Sequence, residues 1–281
     1  MILVLLAILA GLLIGSFLNV CIFRLPRDLS VVTPARSFCP ECEKTIAWYD
    51  NIPVISYFVL GARCRHCKAR IPVRYLMVEI ATAAAFALCV AYLGLTVAAL
   101  KYCVYSAIMI ALIASDLEER ILPDEFTLGG TVIGLVFALF VPLEHYFAAM
   151  FIPYTAGERW QSFGEAAFAA VVGSSSIWMV GWLYEKFRHR EGLGLGDVKM
   201  IAMIGAFLGL RLSLMTLILA SIAGSFIGLA YIKLTKKDAS TYELPFGSFL
   251  GATALFLALW NSAVGAGALN NARRMRRSSI G

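Results

Sequence analysis

"MILVLLAILAGLLIGSFLNVCIFR", residues 1–24, runs for twenty-three residues before its first charge, Arg24. About 20 apolar residues are enough to carry a helix across the hydrocarbon core of a bilayer. A cleavable signal peptide places basic residues before such a stretch, whereas here Arg24 and Arg27 follow it. The segment Ile2–Phe23 is therefore expected to be an uncleaved span with its N-terminus outside the cytoplasm.

The remaining sequence carries the same signature. Of 281 residues, 60% are hydrophobic and 15% charged, against about 45–50% and about 25% in soluble domains. The mean hydropathy is +0.80. Further apolar runs cover Leu76–Leu93, Ala98–Ser115, Thr127–Pro142, Ala166–Tyr184, Val198–Leu210, Ser213–Ile232 and Phe246–Ala263. The expected fold is an all-α polytopic membrane protein with about eight transmembrane helices and a small cytoplasmic zinc-ribbon-like domain between the first two. Four parts follow: a first transmembrane helix (1–23), a cytoplasmic four-cysteine domain (24–75), a larger transmembrane domain (76–263) and a basic C-terminal tail (264–281).

The sixth run is short. Thirteen helical residues reach only about 20 Å, less than the roughly 30 Å hydrocarbon core. It must recruit the preceding glycines or cross only part of the membrane. The spacing of Gly224 and Gly228 suits close helix packing.

With the N-terminus outside, the connections 24–75, 116–126, 185–199 and 233–245 hold 17 of the 24 basic residues. This bias marks the cytoplasmic side. The tail "NARRMRRSSIG" (271–281) runs against it, since eight crossings would put its four arginines outside. The net charge of +6 belongs mostly to anchoring loops. The expected partner is the lipid bilayer, with no nucleic acid.

The one sizeable polar region contains "CPEC" (Cys39, Cys42) and "CRHC" (Cys64, Cys67), with 21 residues between the two pairs. That gap lies one residue beyond the usual range of about 15–20 for a four-cysteine zinc site. Each C-x-x-C turn presents two thiolates, and two turns complete a tetrahedron. A loop of this length builds little core, so a structural metal is a reasonable staple. A reducing cytoplasm favours metal over disulfides. A fully ligated zinc leaves no open position for water and is structural rather than catalytic. Cys21, Cys89 and Cys103 stand alone in apolar runs and read as packing residues.

Ionisable residues at the ends of spans are functional suspects. Asp116 closes the third run, and Asp197 opens the sixth behind "EGLGLG" (191–196). The topology above sets both on the cytoplasmic side at similar depth. Two facing carboxylates share one proton near neutral pH. The ionised member of such a dyad activates water while the protonated member polarises a carbonyl. Helix-end charges give a bland alternative for both residues. Asp124, after Pro123, reads as a helix cap. Lys199 reads as a snorkelling residue or a contact for phosphate or a substrate carboxyl. Glu79 is an acid entering the membrane or a partner for Arg74.

Three segments together resemble the type IV prepilin leader peptidases, membrane aspartic enzymes of pilus and type II secretion systems. They are "GSFLNVCIFRLP" (Gly15–Pro26), the four-cysteine stretch Cys39–Glu79, and the pair "DLEERILPD" (Asp116–Asp124) and "GLGLGDVKM" (Gly192–Met200). The last three spans carry no specific motif. The resemblance implies catalytic roles for Asp116 and Asp197, with the G-x-G-D signature on Gly194, Gly196 and Asp197. Lys199 and Glu79 stand as possible accessory residues.

The implied function is removal of the short basic leader of a prepilin or pseudopilin after a glycine. N-methylation of the new N-terminal residue with S-adenosylmethionine follows in many members, an activity associated with the cysteine domain. The implied location is the bacterial inner membrane, with the active site and cysteine domain on the cytoplasmic side. A proton-coupled transporter with a zinc-binding loop is the alternative, because glycine-interrupted helices and buried acids also serve transport.

Overall fold

The computed structural model describes residues 1–144, 147, 150, 155, 157–188, 194–235 and 245–278. Among these residues eight α-helices follow one another: α1 (Ile2–Arg24), α2 (Ile55–Val59), α3 (Val73–Leu93), α4 (Val97–Glu119), α5 (Asp124–Ala138), α6 (Glu158–Arg188), α7 (Leu195–Thr235) and α8 (Phe246–Ser278). Six of them, α1, α3, α4, α6, α7 and α8, are long and apolar enough to cross a membrane. The fold is all-α and polytopic, as expected.

The expected sixth and seventh runs form one element, α7, broken at Gly209. There φ is 79° and ψ is 173°, a conformation glycine adopts without a steric penalty. The break divides α7 into 195–208 and 210–235. The fourth run yields the 15-residue α5, about 22 Å long at 1.5 Å per residue. Helix α8 continues to Ser278, through most of the stretch expected as a separate tail.

The chain divides into two compact units: Met1–Ala114 with the chain from Leu259, and Ser115–Ala258. In the first unit, α1 and α3 run antiparallel in close contact. A Cβ on Gly11 would lie 2.6 Å from the Ala83 Cα, and one on Gly15 would lie 2.8 Å from the Glu79 Cα. One turn further along, the Asn19 side-chain amide donates to the Tyr75 carbonyl (3.0 Å). In lipid, helices gain nothing from hiding apolar surface, so close backbone approach through small residues drives association. The G-x-x-x-G spacing that does this is Gly11–Gly15. A Cβ on Gly224 would meet only ordinary contact with Phe249.

At the end of α1, Arg24 is buried and donates to the carbonyls of Ser30, Val31, Pro34 and Arg36 at 2.9–3.1 Å. Its guanidinium therefore organises the first part of the polar region, as well as marking the end of the span. Cys21, Cys89 and Cys103 are buried among apolar residues, as the sequence suggested, and the Cys89 and Cys103 thiols lie against each other.

In the second unit, the first half of α7 occupies the centre. Met200, Ile201, Met203, Ile204, Ala206 and Phe207 are all buried. A helix that is apolar on every side is one that protein covers on every side. Gly205 meets the α6 backbone, where a Cβ would lie 2.7 Å from the Ala169 carbonyl carbon. On the α5 side, a Cβ on Gly134 would lie 2.7 Å from the Phe207 ring. Fourteen residues suffice because this half-helix packs against neighbours rather than spanning lipid alone.

Gly11→Leu is expected to lower the stability of the detergent-solubilised protein by about 1–3 kcal/mol, because the clash is with backbone. Gly129→Ala, which adds a methyl where nothing lies within 4 Å, is expected to melt with the parent in the same thermal scan.

Candidate active site and metal centre

Asp116 lies near the C-terminal end of α4 and is buried. Behind it the helix ends at Arg120, whose positive φ of 55° turns the chain while its N–H still reaches the Asp116 carbonyl (3.0 Å). The Ser115 hydroxyl donates to the Ile121 carbonyl (2.8 Å) and draws the turn back against the helix. Leu122 is thereby brought against both Gly196 and Gly247, whose added Cβ atoms would lie 3.2 and 3.1 Å from it.

Asp197 sits in the first turn of α7, where its N–H donates to the Gly194 carbonyl (3.1 Å). Gly196 is already helical, and Leu122 fills the space a side chain would need. Gly194 precedes the helix, and a Cβ there would meet the Asp197 Oδ2 only at 3.8 Å. The earlier part of the glycine stretch, residues 189–193, lies outside the described residues.

The two carboxyls meet at Gly247. A Cβ built on that residue would lie 3.1 Å from the Asp116 Cγ and 3.1 Å from the Asp197 Oδ1. Both acids thus crowd the position a side chain would take, where even a methyl fits only if a neighbour gives way. The next residue, Ser248, donates from both its backbone N–H and its hydroxyl to the Asp116 Oδ2, each at 2.6 Å. Two donors on one oxygen fix the rotation of that carboxyl.

Gly247 and Ser248 open α8, in a stretch where the sequence showed no motif. The available signal was modest: Pro245 before a helix start, then a glycine and a serine with free choice of cap geometry.

Lys199 also finds a partner. Its ammonium donates to both Asp124 oxygens at 2.7 and 2.9 Å, joining the first turn of α7 to the first turn of α5. Asp124 is the first residue of α5, following an N-cap at Pro123 rather than forming the cap itself. Both side chains are substantially exposed, so the pair contributes at most about 1 kcal/mol and acts as a strut. Glu79 is buried in α3, and its carboxylate accepts the Val54 N–H at 2.7 Å. The Arg74 guanidinium lies over the Tyr75 ring, 4.5 Å from its centroid.

The four cysteines Cys39, Cys42, Cys64 and Cys67 bring their sulfurs within 4.8 Å of one another. The two C-x-x-C turns are the same turn used twice. In each, the cysteine N–H donates to a carbonyl five residues on, Lys44 for Cys39 and Ala69 for Cys64. In each, the fourth residue beyond the cysteine has positive φ, Glu43 at 57° and Lys68 at 61°. A bridge closes each base, Phe38 with Thr45 and Arg63 with Arg70.

A tetrahedron of about 2.3 Å metal–sulfur bonds sets neighbouring sulfurs about 3.8 Å apart. The Cys39 and Cys67 sulfurs are 3.8 Å apart, so the donor set fits a thiolate-bound metal and is no disulfide. The N–H groups of Cys67 and His66 bring the Cys64 thiol down to about 7, towards the ionised form that binds metal. Arg65, between the two ligands of the second turn, grips Asp50 through two hydrogen bonds of 2.7 and 2.6 Å. That grip holds the Asp50 carboxyl below its ordinary range.

Two family models match: the bacterial peptidase A24 N-terminal domain over residues 9–93 and the type IV leader peptidase family over residues 103–229. The chain is 32% identical to a prepilin leader peptidase/N-methyltransferase of Pseudomonas aeruginosa, over 93% of this chain and 91% of that protein. The chain belongs to the type IV leader peptidase family. A Myxococcus xanthus protein of the same description is 37% identical over 83% of this chain and 64% of its own. A Klebsiella pneumoniae relative, also so described, is 36% identical over 76% and 88%. No solved structure matches. The first match ends with α3 and covers the cysteine turns, while the second covers Asp116 and Asp197.

Elemental analysis of the purified protein is expected to find one zinc per chain. A Cys39→Ser/Cys64→Ser double variant is expected to lose it; full zinc retention there would refute the four-thiolate site.

Proposed function

We propose that the chain is a membrane aspartic endopeptidase that removes the short basic leader of a prepilin or pseudopilin after a glycine. The observation that carries this reading is the convergence of Asp116 and Asp197 on the Gly247 position. Family membership supports a peptidase over the transporter alternative. The substrate class comes from the names of the relatives.

The chemistry follows from the pair. A carboxyl pair of this kind works with one member ionised and the other protonated. The ionised member takes a proton from a water molecule as its oxygen attacks the scissile carbonyl carbon. The protonated member donates a hydrogen bond to the carbonyl oxygen as charge develops there. Collapse of the tetrahedral intermediate breaks the C–N bond, and the proton gained from water passes to the leaving amine. Ser248 holds the Asp116 carboxyl in the orientation that the attack requires. Leu122 and the Lys199–Asp124 strut keep the start of α7 in register with the α4–α5 turn.

The substrate suits the site. A prepilin is an apolar helix with a basic leader, so it enters from the bilayer and presents its cleavage point at the membrane face. On this reading the protein lies in the bacterial inner membrane, with the dyad and the cysteine domain on the cytoplasmic side. The cysteine domain, stapled by zinc, serves a second reaction, transfer of a methyl group from S-adenosylmethionine to the new N-terminus. Zinc supplies structure there, holding the two turns together. The relatives described as N-methyltransferases support this second activity.

Asp116→Asn and Asp197→Asn are each expected to abolish prepilin cleavage, with at least a roughly 10³-fold loss, while the protein stays inserted and folded. Cleavage by both variants at the parental rate would end the dyad reading. Ser248→Ala is expected to lower kcat by about tenfold or more while leaving KM nearly unchanged, because it loses a charge-assisted hydrogen bond.

A further inference from the structure

The five-residue helix α2 (Ile55–Val59), inside the polar region, is joined to the spans at a depth its sequence position does not suggest. Its N-terminal neighbour Val54 donates its backbone N–H to Glu79 (2.7 Å), the seventh residue of α3. At 1.5 Å per residue, that point lies about 9 Å inside the start of α3. The antiparallel register sets Glu79 beside Gly15 of α1, nine residues before Arg24. Around this level the outward side chains of the two spans, Leu13 and Phe17 on α1 and Met77 and Ile80 on α3, are exposed and apolar.

The exposed residues of α2 share that character. Ile55, Phe58 and Val59 stand at helical spacing i, i+3 and i+4, on one face. They are 59%, 66% and 73% exposed, whereas Ser56 is buried. Trp48 and Tyr49, exposed just before this segment, are the residue types that collect where membrane meets water.

Backbone that leaves a helix at membrane depth must have its polar groups satisfied by protein. Many of this segment's N–H groups meet that demand. The Ile52 N–H donates to the Ser56 hydroxyl oxygen (3.0 Å), and that hydroxyl donates to the Tyr49 carbonyl (3.0 Å). Pro53 has no N–H to satisfy. The Val54 N–H is taken by Glu79 and the Ser56 N–H by the Ile52 carbonyl (3.0 Å). After α2, the N–H groups of Leu60, Gly61 and Ala62 return to the carbonyls of Ser56, Phe58 and Tyr57. Val54 carries a left-handed φ of 61°, an unfavourable state for a β-branched residue, and the bond to Glu79 helps hold it there.

We propose that α2 dips into the bilayer and anchors the four-cysteine domain to the membrane by burying Ile55, Phe58 and Val59 among lipid chains. Glu79 sets the depth of the dip from α3. The cysteine turns are then held against the membrane face rather than swinging on two span ends.

The test is photocrosslinking with the full-length protein in phospholipid vesicles. Benzoyl-phenylalanine is placed, one site at a time, at Phe58 and Val59, at Met77 on α3 as a lipid-facing reference, and at exposed Glu41 in the first cysteine turn. After irradiation, intact-mass analysis is expected to show phospholipid adducts at positions 58, 59 and 77 and none at 41. Adducts at 77 but none at 58 and 59 would overturn the proposal. So would capture at 58 of an added prepilin in place of lipid.

Discussion

The stretch 200–208 of α7 is almost entirely covered by protein, and the arrangement of the second unit follows from that constraint. Glycines let α6 and α5 approach it to backbone distance, so its place is fixed by contact rather than by crossing lipid. Asp197 begins this helix. A carboxyl on an element so tightly held has little freedom of position, which an acid needs if it is to act as one of a pair. The break at Gly209 then releases the chain into the longer, more lipid-exposed second half of α7.

The acids are brought together by three small structural devices around one point. The left-handed Arg120 turn brings Leu122 under two glycines. The start of α8 contributes Gly247, which leaves room, and Ser248, which orients. The strut from Lys199 to Asp124 joins the helices on either side. The strut is weak alone, whereas the Ser248 bonds to the Asp116 carboxylate are charge-assisted. Their value is geometric, since a dyad displaced by about 1 Å loses much of its rate.

Much of this was legible in the sequence, because membrane helices, thiolate turns and span-end acids each carry a strong local signal. Every expected apolar run falls on a helix, although α7 unites two of them through one nonhelical glycine. The cysteine pairs were readable from spacing, and Asp116 and Asp197 from charge at the ends of apolar runs. The site's third contributor was not. Gly247 and Ser248 lie about 50 residues beyond Asp197, and only packing shows that Gly247 meets both acids and Ser248 meets Asp116. Helix-packing glycines were also hard to choose, since Gly11–Gly15 and Gly224–Gly228 have the same spacing. What separates them is the partner: α3 presents bare backbone to the first pair, whereas Phe249 faces Gly224 at ordinary contact distance. Lys199 looked like a snorkelling residue because its partner, Asp124, is 75 positions away.

The central claim is that the two carboxyls work across a space that only glycine leaves open. Gly247→Ala tests it with one methyl group placed between them. Gly247→Ala is expected to fold and insert like the parent and to lose prepilin cleavage. Cleavage at the parental rate by a folded Gly247→Ala protein would contradict the account.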